Sequence, residues 1–288
     1  MMLAMAGFSI NDTLIKTLDG SLGNAQMIAV RGTFASAMLV PILWRRGLLG
    51  RLREALAPPV AARGVAELVG TLLFFAALPI LPFANLYAIL QALPLVVTLG
   101  AALAFGERVG WRRWTAILVG FVGVLIVVRP GTAGFEAASL LVVLAVVCAA
   151  TRDLIARALP ETLPPTLVSS AAVALGALGG YMICAVRHEW TPMTGTEWRT
   201  LALAAVFLLV AHLFIVLAMR GDDVASVVPF RYTNLLWAIG LGYAVFGELP
   251  DGLTLLGAAV IVASGLYTLY RETRVHGQPL EPPPVVRR

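Results

Sequence analysis

Across 288 residues only 13% are charged and 59% are hydrophobic, with a mean hydropathy of +0.88. A water-soluble domain carries about 25% charged residues, so this chain lacks the polar surface needed to face water. The net charge of +5 does not point to nucleic acid, because the arginines gather in short loops between apolar runs. Cys148 and Cys184 both lie inside apolar runs, at a spacing that suits neither a disulfide framework nor a zinc site.

Taken in chain order, apolar runs of about 18 residues or more read as spanning helices, which satisfy their own backbone hydrogen bonds in lipid. Helix 1 is expected over 2–18, helix 2 over 25–44, helix 3 over 64–82, helix 4 over 84–105 and helix 5 over 114–129. Helix 6 follows over 138–158, helix 7 over 166–187, helix 8 over 199–219, helix 9 over 225–246 and helix 10 over 252–270. A barrel would show short alternating strands of about ten residues, and the run 140–150 does not alternate. The first run is interrupted by Asn11, Asp12 and Lys16 and shows no cleavage site, so it reads as a span and not a removable leader. Residues 272–288, with Pro282, Pro283 and Pro284, read as a disordered tail.

Orientation follows from Lys and Arg near the helix ends. With the N-terminus inside, the inner side holds Arg45, Arg46, Arg51, Arg53, Arg63, Arg108, Arg112, Arg113, Arg157, Arg220, Arg271, Arg274, Arg287 and Arg288. The outer side holds Lys16, Arg129, Arg187 and Arg199. Both termini are expected in the cytoplasm, across a bacterial-type inner membrane. Phe105-Gly106-Glu107 recurs as Phe246-Gly247-Glu248 at an offset of 141 residues, and the same offset carries Asp12 onto Asp153 and Lys16 onto Arg157. A duplication is expected, with five helices in 1–130 and five in 138–271; the odd number turns the second set upside down. The expected fold is therefore all-α and polytopic: ten transmembrane helices as two inverted five-helix repeats around a central cavity, a plan shared by many secondary transporters.

The motifs "FGER" at 105–108 and "FGEL" at 246–249, the run "ALPLVVTLGAALAFGE" with Pro94, and the glycine-rich "WTAILVGFVGVLIVV" after it resemble the drug/metabolite transporter superfamily, and its EamA-type exporters in particular. The resemblance extends to about residue 270. It implies export of small metabolites through a cavity ringed by helices 1, 3, 4, 6, 8 and 9, with neutral and aromatic amino acids as substrates. It departs in the second half, where Leu235 stands at the place equivalent to Pro94.

Ionisable and polar groups inside a membrane are costly and face a cavity or a partner. Asp12 and Lys16 lie four apart on helix 1 and read as a mutually neutralising pair or as a gate; Asp153 and Arg157 repeat the pattern on helix 6. Glu107 and Glu248 read as caps on the helices that follow them, with direct gating as the alternative. Arg231 reads either as a bidentate partner for a substrate carboxylate or as a donor to backbone carbonyls. Arg31 reads as structurally paired, because helix 2 is peripheral in the family resembled. His212 is a packing histidine or a titrating one. On helix 4, Tyr87, Gln91 and Thr98 share a face. With Phe8, Asn11 and Asp12 on helix 1, Phe75 on helix 3, Thr151 on helix 6 and Tyr232 and Trp237 on helix 9, they outline a partly aromatic, mostly uncharged cavity; packing is the alternative for each aromatic. Pro94 marks a kink or opening, and Gly106, Gly120, Gly123, Gly257 and Gly265 allow close helix crossings.

These features lead to a transporter of small amphipathic metabolites, amino acids first among them, acting as a monomer on a small-molecule substrate within the lipid bilayer. A multidrug, organic-cation or sugar-phosphate carrier is the alternative within transport. An intramembrane enzyme is disfavoured, since neither HExxH nor GxSxG occurs and no aspartate pair shares a membrane layer. No Walker motif points to ATP, no metal or cofactor site is expected, and a proton-coupling role falls to His212 or Asp12.

Overall fold

A computed structural model describes residues 1–106, 110–132, 134–160, 162–218 and 228–276. These residues form helices joined by short connections, with no strand among them. The first half contains α1 (Met2–Lys16), α2 (Asn24–Arg45), a 3-10 segment η1 (Leu49–Leu56), α3 (Pro58–Ala77), α4 (Phe83–Leu90), α5 (Leu93–Phe105) and α6 (Trp111–Val128). The second half contains α7 (Ala138–Ala158), α8 (Pro165–Arg187), α9 (Gly195–Ala218), a 3-10 segment η2 (Val228–Tyr232), α10 (Thr233–Phe246) and α11 (Gly252–His276).

Eight spans among the described residues are long and apolar enough to cross a bilayer, so the protein is a multi-pass membrane protein. They comprise α2, α3, the continuous α4–α5 rod, α6, α7, α8, α9 and α11. The first helix has 15 residues and ends at Lys16, short of the expected 18, because the chain turns at Thr17. Of the expected helix 9, residues 225–227 lie outside the described set, Val228–Tyr232 is a 3-10 segment, and the α-helix starts at Thr233. The last helix continues to His276, which removes 272–276 from the expected tail; residues 277–288 lie outside the described set.

Proline and glycine set several helix ends. Pro58 and Pro165 stand in first turns, where a missing N–H is an orphan in any case. Gly106 and Gly247 end α5 and α10 with φ of 65° and 69°, a left-handed conformation that glycine adopts without strain. Gly106 is thus a helix stop and not a crossing point, contrary to expectation.

The principal packing pairs are α3 with α7, α1 with α9, α2 with α8, and α6 with α11. Small residues permit the close approaches. A Cβ on Gly123 would stand 2.9 Å from the Gly257 carbonyl, and one on Gly257 would stand 2.8 Å from the Gly123 carbonyl. The contact of α6 with α11 is therefore backbone against backbone, which favours van der Waals association in lipid. The buried core runs through Phe75, Phe83, Leu86, Tyr87 and Leu95, while Leu103, Leu118 and Leu178 stand exposed towards lipid.

Candidate functional site

A helix interruption in the first half faces the 3-10 start of a helix in the second. Between α4 and α5 the chain departs from α-helical form at Gln91–Ala92, where the Ala92 N–H turns to the Ile89 carbonyl. Pro94 offers no N–H to the Leu90 carbonyl, which is why the helix loosens there. Thr98 returns its hydroxyl to the Pro94 carbonyl at 2.9 Å. In the second half the change from 3-10 to α falls at Tyr232–Thr233. Leu235 stands where the first half has Pro94, and here the irregular stretch is the 3-10 segment that contains Pro229. Gln91 Nε2 donates to the Tyr232 carbonyl at 3.2 Å, so the two interruptions are joined directly.

Helix α1 passes beside this junction and carries most of the polar contacts. The Ser9 hydroxyl donates to Asn234 at 2.8 Å. Asp12 accepts from Asn11 and from the Tyr87 hydroxyl, each at 2.7 Å. Arg31 lies over the Phe75 ring at 4.9 Å and donates to the Asn11 side chain at 3.2 Å. Phe8 meets His212 edge to face at 5.2 Å, and His212 Nδ1 lies 2.8 Å from the Leu208 carbonyl.

The expected pairing of Asp12 with Lys16 does not form. Lys16 donates to Glu248 at 2.8 Å and to the Leu81 carbonyl at 2.9 Å, and lies 4.9 Å from the Phe246 ring. A full ion pair with a carbonyl and an aromatic face outcompetes a contact along the helix. Glu248 also departs from its expected role. Its second oxygen accepts from the Phe83 N–H at 2.7 Å, so it caps α4 and not α11. The cap on α11 is Asp251, which accepts from the Thr254 N–H at 2.8 Å and pairs with Arg129. That guanidinium, first among the causes, holds the Asp251 carboxyl well below the usual carboxylate range.

Asp153 likewise pairs with its neighbour Arg152 at 2.9 Å and not with Arg157, which lies 5.9 Å from the Phe105 ring. Arg152 reaches Glu67 on α3 at 3.9 Å, and Glu67 takes Arg63 at 3.1 Å. Sequence reasoning passed over Glu67, Arg63 and Arg152. The signal was a single carboxylate in the middle of an apolar helix, which always needs a partner.

Of the remaining expected residues, Tyr232 is buried with its hydroxyl against Gly265 and without a hydrogen-bond partner among the described residues. Arg231 is half-buried and has no carboxylate partner among the described residues. Trp237 is exposed and joins none of these contacts, and Thr151 is exposed with its hydroxyl on its own helix at Val147. Glu107 lies outside the described residues. A groove of about 340 Å³ between α6 and α11, lined by Trp111, Arg112, Ser264 and Tyr267, contains none of the expected site residues.

Comparison with known proteins agrees with this architecture. The model of the EamA-like transporter family matches residues 1–129 and 137–270. A riboflavin transporter of Rhizobium johnstonii is 30% identical, with 97% of this chain and 92% of the relative covered. An S-adenosylmethionine uptake transporter of Rickettsia felis is 26% identical over 95% and 92%. The pseudopaline exporter CntI of Pseudomonas aeruginosa is 25% identical over 91% and 92%. One solved crystal structure, 21% identical, superposes with a TM-score of 0.65 over 96% of this chain and 98% of that one, which supports the same fold.

Proposed function

Since the chain belongs to the EamA-like transporter family, we propose that it is a secondary transporter exporting small amphipathic metabolites, amino acids including aromatic ones, by alternating access. The observation that carries this reading is the junction of Gln91 with the Tyr232 carbonyl. Discontinuous helices facing one another are where transporters bind substrate near the bilayer midplane. Around the junction stand Tyr87, Phe75 and Phe8 as aromatic surfaces and Asn11, Asp12 and Ser9 as polar ones.

In this reading the chain makes ten crossings, five repeated upside down, with both termini in the cytoplasm of the inner membrane. Four features support the symmetry. The pairs α3–α7 and α1–α9 exchange under it, while α2–α8 and α6–α11 map onto themselves. The breaks at Gln91 and Tyr232 are 141 residues apart, as are the partners in the cation–aromatic pairs Lys16–Phe246 and Arg157–Phe105. The family model falls on two segments of nearly equal length. Lys16 and Glu248 tie α1 to the start of α4 and the end of α10, and act as the outer latch that must part for release.

A second reading, flat heteroaromatic cargo, is favoured by the riboflavin-transporting relative. An uptake screen in proteoliposomes against amino acids, organic cations, phosphorylated sugars and riboflavin separates the two. Amino-acid movement is the expected result; movement of riboflavin alone selects the second reading, and movement of nothing rejects both. A periplasm-active reporter fused after Arg274 should give no signal, and a strong signal overturns the orientation.

A further inference from the structure

The charges within the bundle are not equally satisfied. Lys16 has Glu248 and the Leu81 carbonyl. Glu67 has Arg63 and Arg152, and Asp153 has Arg152. Arg31 and Asp12 remain. Arg31 is 9% exposed, yet among the described residues its guanidinium makes one hydrogen bond, to Asn11 Oδ1, and its buried Nε finds no partner there. A guanidinium carries five N–H donors in a planar fork, so most of its capacity is unused. Phe75 closes one face of that plane and leaves the edge to recognise a ligand.

Asp12 complements it. Among the described residues its two oxygens accept only from neutral groups, Asn11 Nδ2 and the Tyr87 hydroxyl, and no cation reaches it directly, Arg31 standing on the far side of Asn11. A carboxylate offers about four acceptor positions, so at least one bond from an ammonium fits without displacing either donor. Asp12 is also half-buried where Asn11 is 1% exposed, so the acid has the more open side. Asn11 joins the two charges through opposite ends of its amide, giving to Asp12 and accepting from Arg31. The site is neutral in sum and divided into a positive and a negative end, each short of partners.

We infer that Arg31 and Asp12 form a headgroup subsite for a zwitterionic amino carboxylate, the guanidinium taking the carboxylate and Asp12 the ammonium, with Asn11 fixing their separation. The inference rests on the transport reading above and deepens it by naming what the substrate must carry at one end. A bidentate carboxylate fits the fork of Arg31. Phe75 packs on the guanidinium and the Tyr87 hydroxyl on Asp12, so buried aromatic rings hold both charges in place.

The test uses the full chain in proteoliposomes, with the twenty amino acids, S-adenosylmethionine and riboflavin as labelled probes. The best-moved probe is then challenged with its carboxamide and its N-acetyl derivative. The wild-type protein should reject both blocked forms by tenfold or more. Arg31→Gln should lose the preference for a free carboxylate while still rejecting the N-acetyl form, and Asp12→Asn should do the reverse. Arg31→Lys, which keeps the charge without the fork, should show reduced discrimination against the carboxamide and serves where Arg31→Gln fails to fold. Acceptance of either blocked form by the wild type overturns the subsite, as does equal weakening of all three compounds in both variants. Riboflavin moving while no zwitterion does overturns the subsite and leaves transport standing; no movement of any compound removes the transport reading itself.

Discussion

Helices α1 and α7 carry the same motif at the same place in their halves, and they finish it differently. In α7, Asp153 is locked to Arg152, which also reaches Glu67 on the facing helix. In α1 the position of Arg152 is taken by Asn11, and Asp12 holds only neutral partners, Asn11 and Tyr87. One aspartate is spent on a structural ion pair and the other retains charge for a ligand. Two helices with the same acid-and-base spacing thus place their aspartates in different company.

The comparison breaks most visibly at the aspartates themselves. Asp12→Asn should lower transport about 10- to 100-fold, the range for losing one charge-assisted hydrogen bond. Asp153→Asn should leave transport within about threefold and instead lower thermal stability, by about 1–2 kcal/mol, since Arg152 and Asp153 are a quarter to a third exposed. Equal transport losses in the two variants would erase the distinction.

The latch comes next. Lys16 is 8% exposed, so Glu248→Gln leaves a buried ammonium short of its counter-charge and should cost about 2–4 kcal/mol in thermal unfolding. Adding Lys16→Met should restore part of that loss, with a coupling of about 1–3 kcal/mol. Strict additivity would mean that the contact carries no energy.

A smaller effect is expected at the second break. A methyl group on Gly265 collides with the Tyr232 hydroxyl and must push that residue, whose carbonyl receives Gln91. Gly265→Ala should reduce transport roughly fivefold, about the value of one neutral hydrogen bond, while the protein stays monodisperse.

The smallest effect concerns acid stability. Asp251 has a folded-state pKa depressed below its unfolded value of about 3.9. Its contribution is therefore complete above that value and fades as pH falls further. The side chain is 55% exposed, so solvent screens the gain. Asp251→Asn should flatten the acid limb of stability slightly below pH ~4 and leave neutral pH within about 1 kcal/mol.

Most of the spans were legible, because hydropathy alone reports which segments lipid will accept. The family was legible from "FGER", "FGEL" and the run around Pro94. The break in the second half was not, since Leu235 replaces the expected proline and the 3-10 turn depends on Pro229 upstream. Partners were the least legible feature. Lys16 and Glu248 are 232 residues apart, and nothing in helix periodicity ranks that contact above the local one with Asp12. Arg31 reads as structurally paired from the sequence; that most of its donors go unfilled among the described residues is visible only in the structure.

The account rests on substrate crossing where the two broken helices meet, and Gln91→Leu tests that most directly. This substitution keeps the side-chain bulk and removes the amide that bridges to Tyr232. Uptake of a transported amino acid into proteoliposomes should be saturable with the wild-type protein and about tenfold slower with a folded Gln91→Leu protein. Wild-type rates from that variant would contradict the account.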